Sequence, residues 1–465
     1  MTAPDLLLIP PFLKYIAGPP LGPAMLRGAA EAAGYALQVL DLNARLLGQE
    51  LTERQGDPRF VGDHDRPSEA LRTAQDRFRA RCAGALPPAE TRLADDPIQT
   101  LTYAHGDILA AVARLSDGPV GAWIEGALAP LPAPRVVGVS VLYSGQVLWG
   151  LVASHLARRR WPGCLIVWGG PHVTALQDRI AADPQYGTHV HRFVFGYAEQ
   201  TFVEILQAAH TGAPLPAEAV AAGAPTRSAR DDLTALPRFS ELDRYGTPQL
   251  TLPAQLSRGC SYGRCRFCTY PAIEGGYRPL PDAGVRAVLD EAVSRGAAVA
   301  LKDSLLLPQR LADAASAIAG RARWSACTKL HPRLDTAFLR QLAAGGCATL
   351  EFGLETLSPT GQAMIDKRQS ADLFLRVLDG CAESGISVVV NYITGFPGVP
   401  ADEDARWLAF VRDALATRPT LTGKIEHNRF QLERLSPMGR APASSGLRVT
   451  ERWPWASVLG WELLG

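Results

Sequence analysis

Ser257-Arg-Gly-Cys260-Ser-Tyr-Gly-Arg-Cys265-Arg-Phe-Cys268-Thr-Tyr-Pro271 places three of the chain's eight cysteines within nine residues. Chance is a poor explanation for that density. In a reducing compartment thiols serve as small buried hydrophobes, metal ligands or reactive groups. Three thiolates on one short loop can hold three irons of a [4Fe-4S] cluster and leave the fourth iron open to an outside ligand. A structural zinc site wants a fourth ligand in a paired arrangement, and the next cysteine is Cys327, far outside zinc-finger spacing. A non-catalytic zinc-binding module stays as the alternative of a different class. The other five, Cys82, Cys164, Cys327, Cys347 and Cys381, read as core residues in apolar strand or helix contexts.

Outward from the loop, strands and helices alternate. Gln255-Leu-Ser257 precedes it, and Ala297-Ala-Val-Ala-Leu-Lys302, Trp324-Ser-Ala-Cys-Thr328, Ala348-Thr-Leu-Glu-Phe-Gly353, Val388-Val-Val-Asn-Tyr-Ile393 and Arg429-Phe-Gln-Leu432 follow. Helical patterns lie between them, at 338–344, 371–384 and 403–417. Six β/α units over 251–435 imply a partial (β/α)6 barrel, not a closed eightfold one. Residues 436–465 form a C-terminal extension whose Trp453-Pro-Trp455 and Trp461 are expected to cover an open end or edge of that barrel.

Upstream, residues 1–212 read as a Rossmann-like α/β domain. Its strand segments are expected at 5–12, closed by prolines, and at 37–42, 135–142, 164–172 and 190–194, with helices at 24–33, 147–159 and 201–209. A polar, Arg- and Asp-rich insertion with helical stretches at 68–83 and 108–115 occupies about 44–131. Residues 213–250 are Ala-, Pro- and Gly-rich and suit a linker. Each loop leaves a strand's carboxyl end, where open α/β sheets bind ligands.

The 465 residues carry 47 Lys plus Arg against 46 Asp plus Glu and are 47% hydrophobic. That length and apolar fraction support two or three packed domains. A net charge of +1 gives no basic field for nucleic-acid binding. No apolar run is long enough to span a bilayer, so the expectation is a cytoplasmic protein with no membrane span.

The cysteine loop, including Phe267 before the third cysteine, resembles the cluster-binding motif of the radical S-adenosylmethionine (radical SAM) superfamily. The usual spacing has three residues between the first two cysteines, and this chain has four, an excess that a loop containing Gly263 can absorb. Leu350-Glu-Phe-Gly-Leu-Glu-Thr-Leu-Ser358 with Lys367, and Asn391-Tyr-Ile-Thr-Gly-Phe-Pro-Gly398 with Glu403-Asp404, are similar to the family's fourth- and fifth-strand segments. The resemblance implies that Cys260, Cys265 and Cys268 bind the cluster, with Phe267, Asp303, Glu355, Asn391 and Gly395 near S-adenosylmethionine. The family's Gly-Gly-Glu is replaced here by Lys302-Asp-Ser304.

The first domain resembles the cobalamin-binding domain that precedes the barrel in one large radical SAM class. The matching pieces place Gly18, Leu21, Ser140, Leu142, Tyr143, Gly169, Gly170, His172, Gly196 and Glu199 around cobalamin. The Asp-x-His-x-x-Gly motif that supplies a lower histidine ligand elsewhere is missing; His64 does not match it, and His172 reads as a tail or loop contact. A tRNA methylthiotransferase would need three more cysteines in the first domain, where only Cys82 and Cys164 occur. The resemblance therefore implies a cobalamin-dependent radical SAM methyltransferase acting on an unactivated carbon of a small-molecule or peptide substrate of natural-product type, served by a flavodoxin- or ferredoxin-type reductant. Rearrangement or cyclisation without methyl transfer is the second reading.

Overall fold

A computed structural model describes residues 3–11, 18–50, 59, 61, 80, 82, 102–245 and 250–464. The stretch around His64 and nearly all of the helix expected at 68–83 lie outside these residues. The chain divides into two compact units, one formed by 1–54, 66–245 and 452–458, the other by 55–65, 246–451 and 459–465. Among the described residues no helix is long and apolar enough to cross a membrane.

The first unit is a doubly wound parallel sheet. Its strands are β1 (Asp5–Ile9), β2 (Leu37–Asp41), β3 (Val136–Ser140), β4 (Leu165–Gly169) and β5 (Arg192–Phe193), in the order β2-β1-β3-β4-β5. Helices Leu21–Ala32 and Glu199–Thr211 pack together, and His105–Ser116, Pro119–Leu128 and Val147–Arg160 form a second packed group. A parallel sheet buried on both faces accounts for the continuous apolar runs of β1 and β3, which are buried throughout. The connections reverse direction between β1 and β3, so the loops leaving those two strands part and open a crevice at their carboxyl ends. Asp5 fixes the opposite end: its carboxylate accepts from the backbone N–H of Arg135 and Val136, and His210 bonds its second oxygen at 2.7 Å.

The Ala/Pro/Gly-rich stretch after the last helix is held to this unit as far as Tyr245. Val220 and Ser228 bridge to Phe193 and Phe195, Arg238 N donates to Ala24 O, and Tyr245 donates from its hydroxyl to buried Asp41. Gly28 is what lets residues 236–238 lie across helix Leu21–Ala32, because a Cβ there would stand 1.8 Å from Leu236 O.

The second unit is a six-stranded all-parallel sheet in sequential order: β6 (Thr251–Ala254), β7 (Ala298–Leu301), β8 (Trp324–Thr328), β9 (Cys347–Glu355), β10 (Ser387–Thr394) and β11 (Gly423–Arg429). Helices follow the strands, as in a partial (β/α)6 barrel. Two strands differ from the expected positions. The first is Thr251–Ala254 instead of 255–257, because an edge strand tolerates Pro253. The last is Gly423–Arg429 instead of 429–432: its inward Lys424 and Glu426 pair at 2.8 Å, so the strand lacks the apolar alternation that would have marked it. At the amino ends of the strands, Val61 N donates to Thr349 Oγ1 and Ser387 Oγ donates to Arg59 O.

The C-terminal tryptophans separate. Trp461 packs edge-on against Phe430 in the second unit, whereas Trp455 lies in the core of the first, its ring centroid 4.4 Å from that of Tyr186. The expectation that all of them cover the barrel fails for Trp455.

Gly28→Ala is expected to destabilise the first unit by about 2 kcal/mol or more, since backbone must move to admit the methyl. A thermal melt of the variant checks this, and a parent-like transition would show that the crossing at residue 236 is loose.

Candidate functional site

The cysteine loop is tied down at both ends. At its neck Ser257 and Arg258 pair antiparallel with Pro279 and Arg278. Gly259 adopts φ +74 and fits where a Cβ would meet Gly276 O at 2.6 Å. Glu274 accepts from Gly259 N at 3.1 Å and from Ser304 Oγ at 2.7 Å. Asp303, at the exit of β7 and only 3% exposed, accepts from Leu256 N with both oxygens and from Ser257 Oγ at 2.6 Å. On the far side Arg266 N donates to Ile365 O and Met438 N to Arg266 O, while Phe267 packs edge-on against Phe396.

Cys260, Cys265 and Cys268 are half-buried free thiols. Burial pushes Cys268 up to about 12, and the neighbouring Cys265 and Cys260 add to it; burial also raises Cys265. Burial thus favours the protonated thiol at Cys265 and Cys268, and binding a metal there is coupled to loss of those protons. Among the described residues no group of three His, Cys, Asp or Glu converges on one metal-ion position. A cubane asks for something else, since each thiolate meets a different iron.

Glu355 ends β9 with φ +64, a conformation costly for a residue with a side chain. Lys367 Nζ donates to its Oε1 at 2.7 Å, and a Cβ on Gly353 would stand 2.7 Å from that ammonium, so Gly353 makes the space for the pair. Asn391 Nδ2 donates to Glu351 Oε1 at 2.6 Å. Gly395, exposed at φ +77, donates its N–H to Asp404 Oδ2 at 2.6 Å. Glu355, Asn391 and Gly395 thus lie at or near the carboxyl ends of β9 and β10. Asp303, by contrast, has its carboxylate committed to the neck of the cysteine loop. Cys327 departs from the core role expected of it: it is partly exposed, and the charges acting on its thiol are Glu351, Lys367, Glu355 and Lys302. Cys82, Cys164, Cys347 and Cys381 are buried.

In the first unit the expected residues gather at the carboxyl ends of the strands. Ser140, Leu142 and Tyr143 leave β3, Gly169 and Gly170 leave β4, and Gly196 follows β5. Gly170 takes φ +109, and a Cβ there would strike Val141 O at 2.4 Å. Gly196, at φ +87, faces open space. Tyr143 is 45% exposed, one of few large apolar side chains left in solvent among the described residues. His172 is 4% exposed, and its Nε2 lies 2.9 Å from Trp455 O, so that nitrogen is already engaged. Gly18 and Leu21 flank the start of the first helix, and Glu199, buried, opens the last.

Two tethers were not foreseen. Gln146 donates from Nε2 to Pro10 O and accepts from Leu142 N, joining the loops on either side of the crevice. Thr174 Oγ1 donates to Gly170 O and accepts from Gly196 N, joining the β4 and β5 exits. Only tertiary position reveals them. Glu274 was missed for the same reason, while Asp404 was foreseen only as part of an acidic helix start.

Burial pushes the Asp303 carboxyl up to about 7 despite the hydrogen bonds from Ser257 and Leu256. Between about pH 4 and 7 the folded chain therefore keeps a proton that the unfolded chain has lost, and stability falls as pH rises through that window. Asp303→Asn is expected to flatten this slope in melts taken from pH 4 to 8; a slope equal to the parent's would mean that Asp303 is ionised throughout.

Residues 255–411 match the family model of the Radical SAM superfamily. The fold is similar to that of TsrM from Kitasatospora setae, a radical S-adenosylmethionine methyltransferase solved with cobalamin and a [4Fe-4S] cluster bound. That alignment has a TM-score of 0.62 at 16% identity and covers 97% of this chain and 77% of TsrM. A TsrM structure with tryptophan substrate and a SAM analogue gives 0.63 at 18% identity, with 97% and 78% covered. OxsB, a cobalamin-dependent S-adenosylmethionine radical enzyme, gives 0.64 at 12% identity, covering 99% of this chain and 64% of OxsB. No curated protein matches the chain significantly.

Proposed function

We propose that this chain, a radical SAM enzyme by the domain at residues 255–411, is cobalamin-dependent and methylates an unactivated carbon of a natural-product-type substrate. One observation carries the reading: a three-thiol loop at the mouth of a sequential parallel sheet follows a β2-β1-β3-β4-β5 domain whose crevice is lined by Gly169, Gly170 and Gly196. The likeness of nearly the whole chain to TsrM and OxsB supports it. When bound, the cluster with S-adenosylmethionine supplies one-electron chemistry and a 5′-deoxyadenosyl radical, and cobalamin supplies the methyl group.

This chain's residues hold and shield. Cys260, Cys265 and Cys268 are the cluster ligands, and Phe267 with Phe396 and Phe430 makes an apolar wall beside them that excludes water. The Glu355–Lys367 pair, Asn391 and the Asp404-tethered Gly395 backbone offer the polar contacts for S-adenosylmethionine. In the first unit the glycines let backbone approach a bulky corrinoid, and Tyr143 offers an apolar surface to its face. Gly18, Leu21, Ser140, Leu142, His172 and Glu199 complete the surround, with His172 outside cobalt coordination. The electron comes from a flavodoxin- or ferredoxin-type donor.

OxsB is described as a radical enzyme and TsrM as a methyltransferase, so a reaction without methyl transfer is the second reading; product mass, with or without one added CH2, separates the two.

The test is anaerobic purification with cobalamin supplied, followed by iron, sulfide and corrinoid analysis. The parent is expected to hold about four irons per chain. The triple Cys260→Ala, Cys265→Ala, Cys268→Ala variant should lose them and keep its corrinoid. Gly169→Leu adds bulk whose first atom meets only Val194 O, at 3.5 Å; it should keep its iron and lose corrinoid about tenfold. Stoichiometric zinc without iron would sink the proposal, as would a cluster-loaded parent with no corrinoid band.

A further inference from the structure

The gap between Cys260 and Cys265 holds Ser261, Tyr262, Gly263 and Arg264, and the structure shows where the length goes. Gly263 turns the chain at φ +58, where a side chain would be strained. Tyr262 donates from its hydroxyl to Asp366 O at 2.6 Å. Over the face of the same ring sits Lys329 Nζ, 3.5 Å from the centroid, and this ammonium also donates to Lys367 O. Asp366 and Arg368 are both left-handed, at φ +49 and +59, so the turn that Tyr262 and Lys329 grip is one that would not hold its shape unaided.

The two lysines beside the loop are not equivalent. Lys367 is ion-paired with Glu355 at 2.7 Å, so its charge reaches the loop together with that of the carboxylate. Among the described residues Lys329 has a ring and a carbonyl as its bonded partners and no bonded carboxylate, although the Asp366 charge acts on it; its own charge acts on the Cys265 thiol, less strongly than that of Lys367. An aromatic face attracts a cation held over it and so favours the charged ammonium in a half-buried site.

We infer that Tyr262 and Lys329 form a clamp that the extra residue makes possible, holding a positive charge that no bonded carboxylate neutralises beside the cysteine loop, so that it raises the reduction potential of the cluster. This rests on the cluster assignment of the proposed function. One-electron reduction adds negative charge to the cluster, and a fixed cation in a partly desolvated site favours the reduced form. Both are positioning residues, since neither is placed on reacting atoms. Removing the ring should also loosen the arm between the first two cysteines.

The experiment uses the full chain, purified anaerobically, as parent and as Lys329→Met, Lys329→Arg, Tyr262→Phe and Tyr262→Leu. Iron and sulfide are counted, the midpoint potential is measured by a redox titration followed by electron paramagnetic resonance, and iron release to EDTA is timed. Lys329→Met should move the reduction equilibrium threefold to tenfold toward the oxidised cluster, the upper figure corresponding to 59 mV for one electron, with parent-like iron content. Lys329→Arg should restore most of the potential. Tyr262→Phe keeps the ring and should stay near the parent, whereas Tyr262→Leu should shift the potential as Lys329→Met does and release iron several-fold faster. Parent midpoints in iron-replete Lys329→Met and Tyr262→Leu would overturn the clamp and leave the cluster assignment intact. Absence of iron and sulfide from the parent would overturn the cluster assignment, and the clamp with it.

Discussion

A buried carboxylate governs the second unit. Asp303 sits at the end of β7 with both oxygens turned to Leu256 N and one also to Ser257 Oγ. Putting an acid there costs desolvation free energy that only those donors offset. In return the strand leading into the cysteine loop is fixed to its neighbour at the point where regular pairing ends. Glu274 repeats the device one step further on, through Gly259 N and Ser304. A loop of three thiols would otherwise sample many arrangements; two acids at its neck leave it few. The energy stored in burying them appears elsewhere as pH sensitivity.

The first unit solves a related problem with uncharged side chains. Its loops come from strands that diverge, so sheet hydrogen bonding cannot hold them. Gln146 and Thr174 do, each spanning two loops with one side chain. Both are uncharged, and Gly169, Gly170 and Gly196 beside them keep the chain there free of side chains. At the other end of the sheet a charged group does this work, where Asp5 gathers two amides and His210.

Much of this was legible in the residues, and what was not has physical reasons. The three cysteines, the Gly-Gly pair after β4 and the β9 and β10 segments announce themselves because their chemistry needs neighbours in sequence. Strands buried on both faces, such as Val136–Ser140, read as unbroken apolar runs. Strand β11 escaped because a paired Lys424 and Glu426 stand on its inner face where apolar residues were sought. Cys327 was misjudged because an apolar sequence context does not say which face of β8 a thiol occupies. Gln146, Thr174 and Glu274 act through partners tens to more than a hundred residues away or through a turn, and an isolated Gln, Thr or Glu carries no mark of that. The helix that joins its strand to residues 236–238 depended on one glycine with no motif around it.

Residues 59 and 61 give the second unit an unexpected make-up. Arg59 O and Val61 N serve Ser387 and Thr349 at the amino ends of the strands, although almost two hundred residues of the other unit separate them in sequence from Thr251. The barrel is therefore assembled from non-contiguous chain. A fragment starting at residue 246 would lack the partners that Arg59 and Val61 supply, and an engineer who trimmed the polar stretch near residue 60 as dispensable would uncap two strands of the second unit. Swapping first domains between relatives would carry the same hidden cost, because a piece of one module travels inside the sequence of the other.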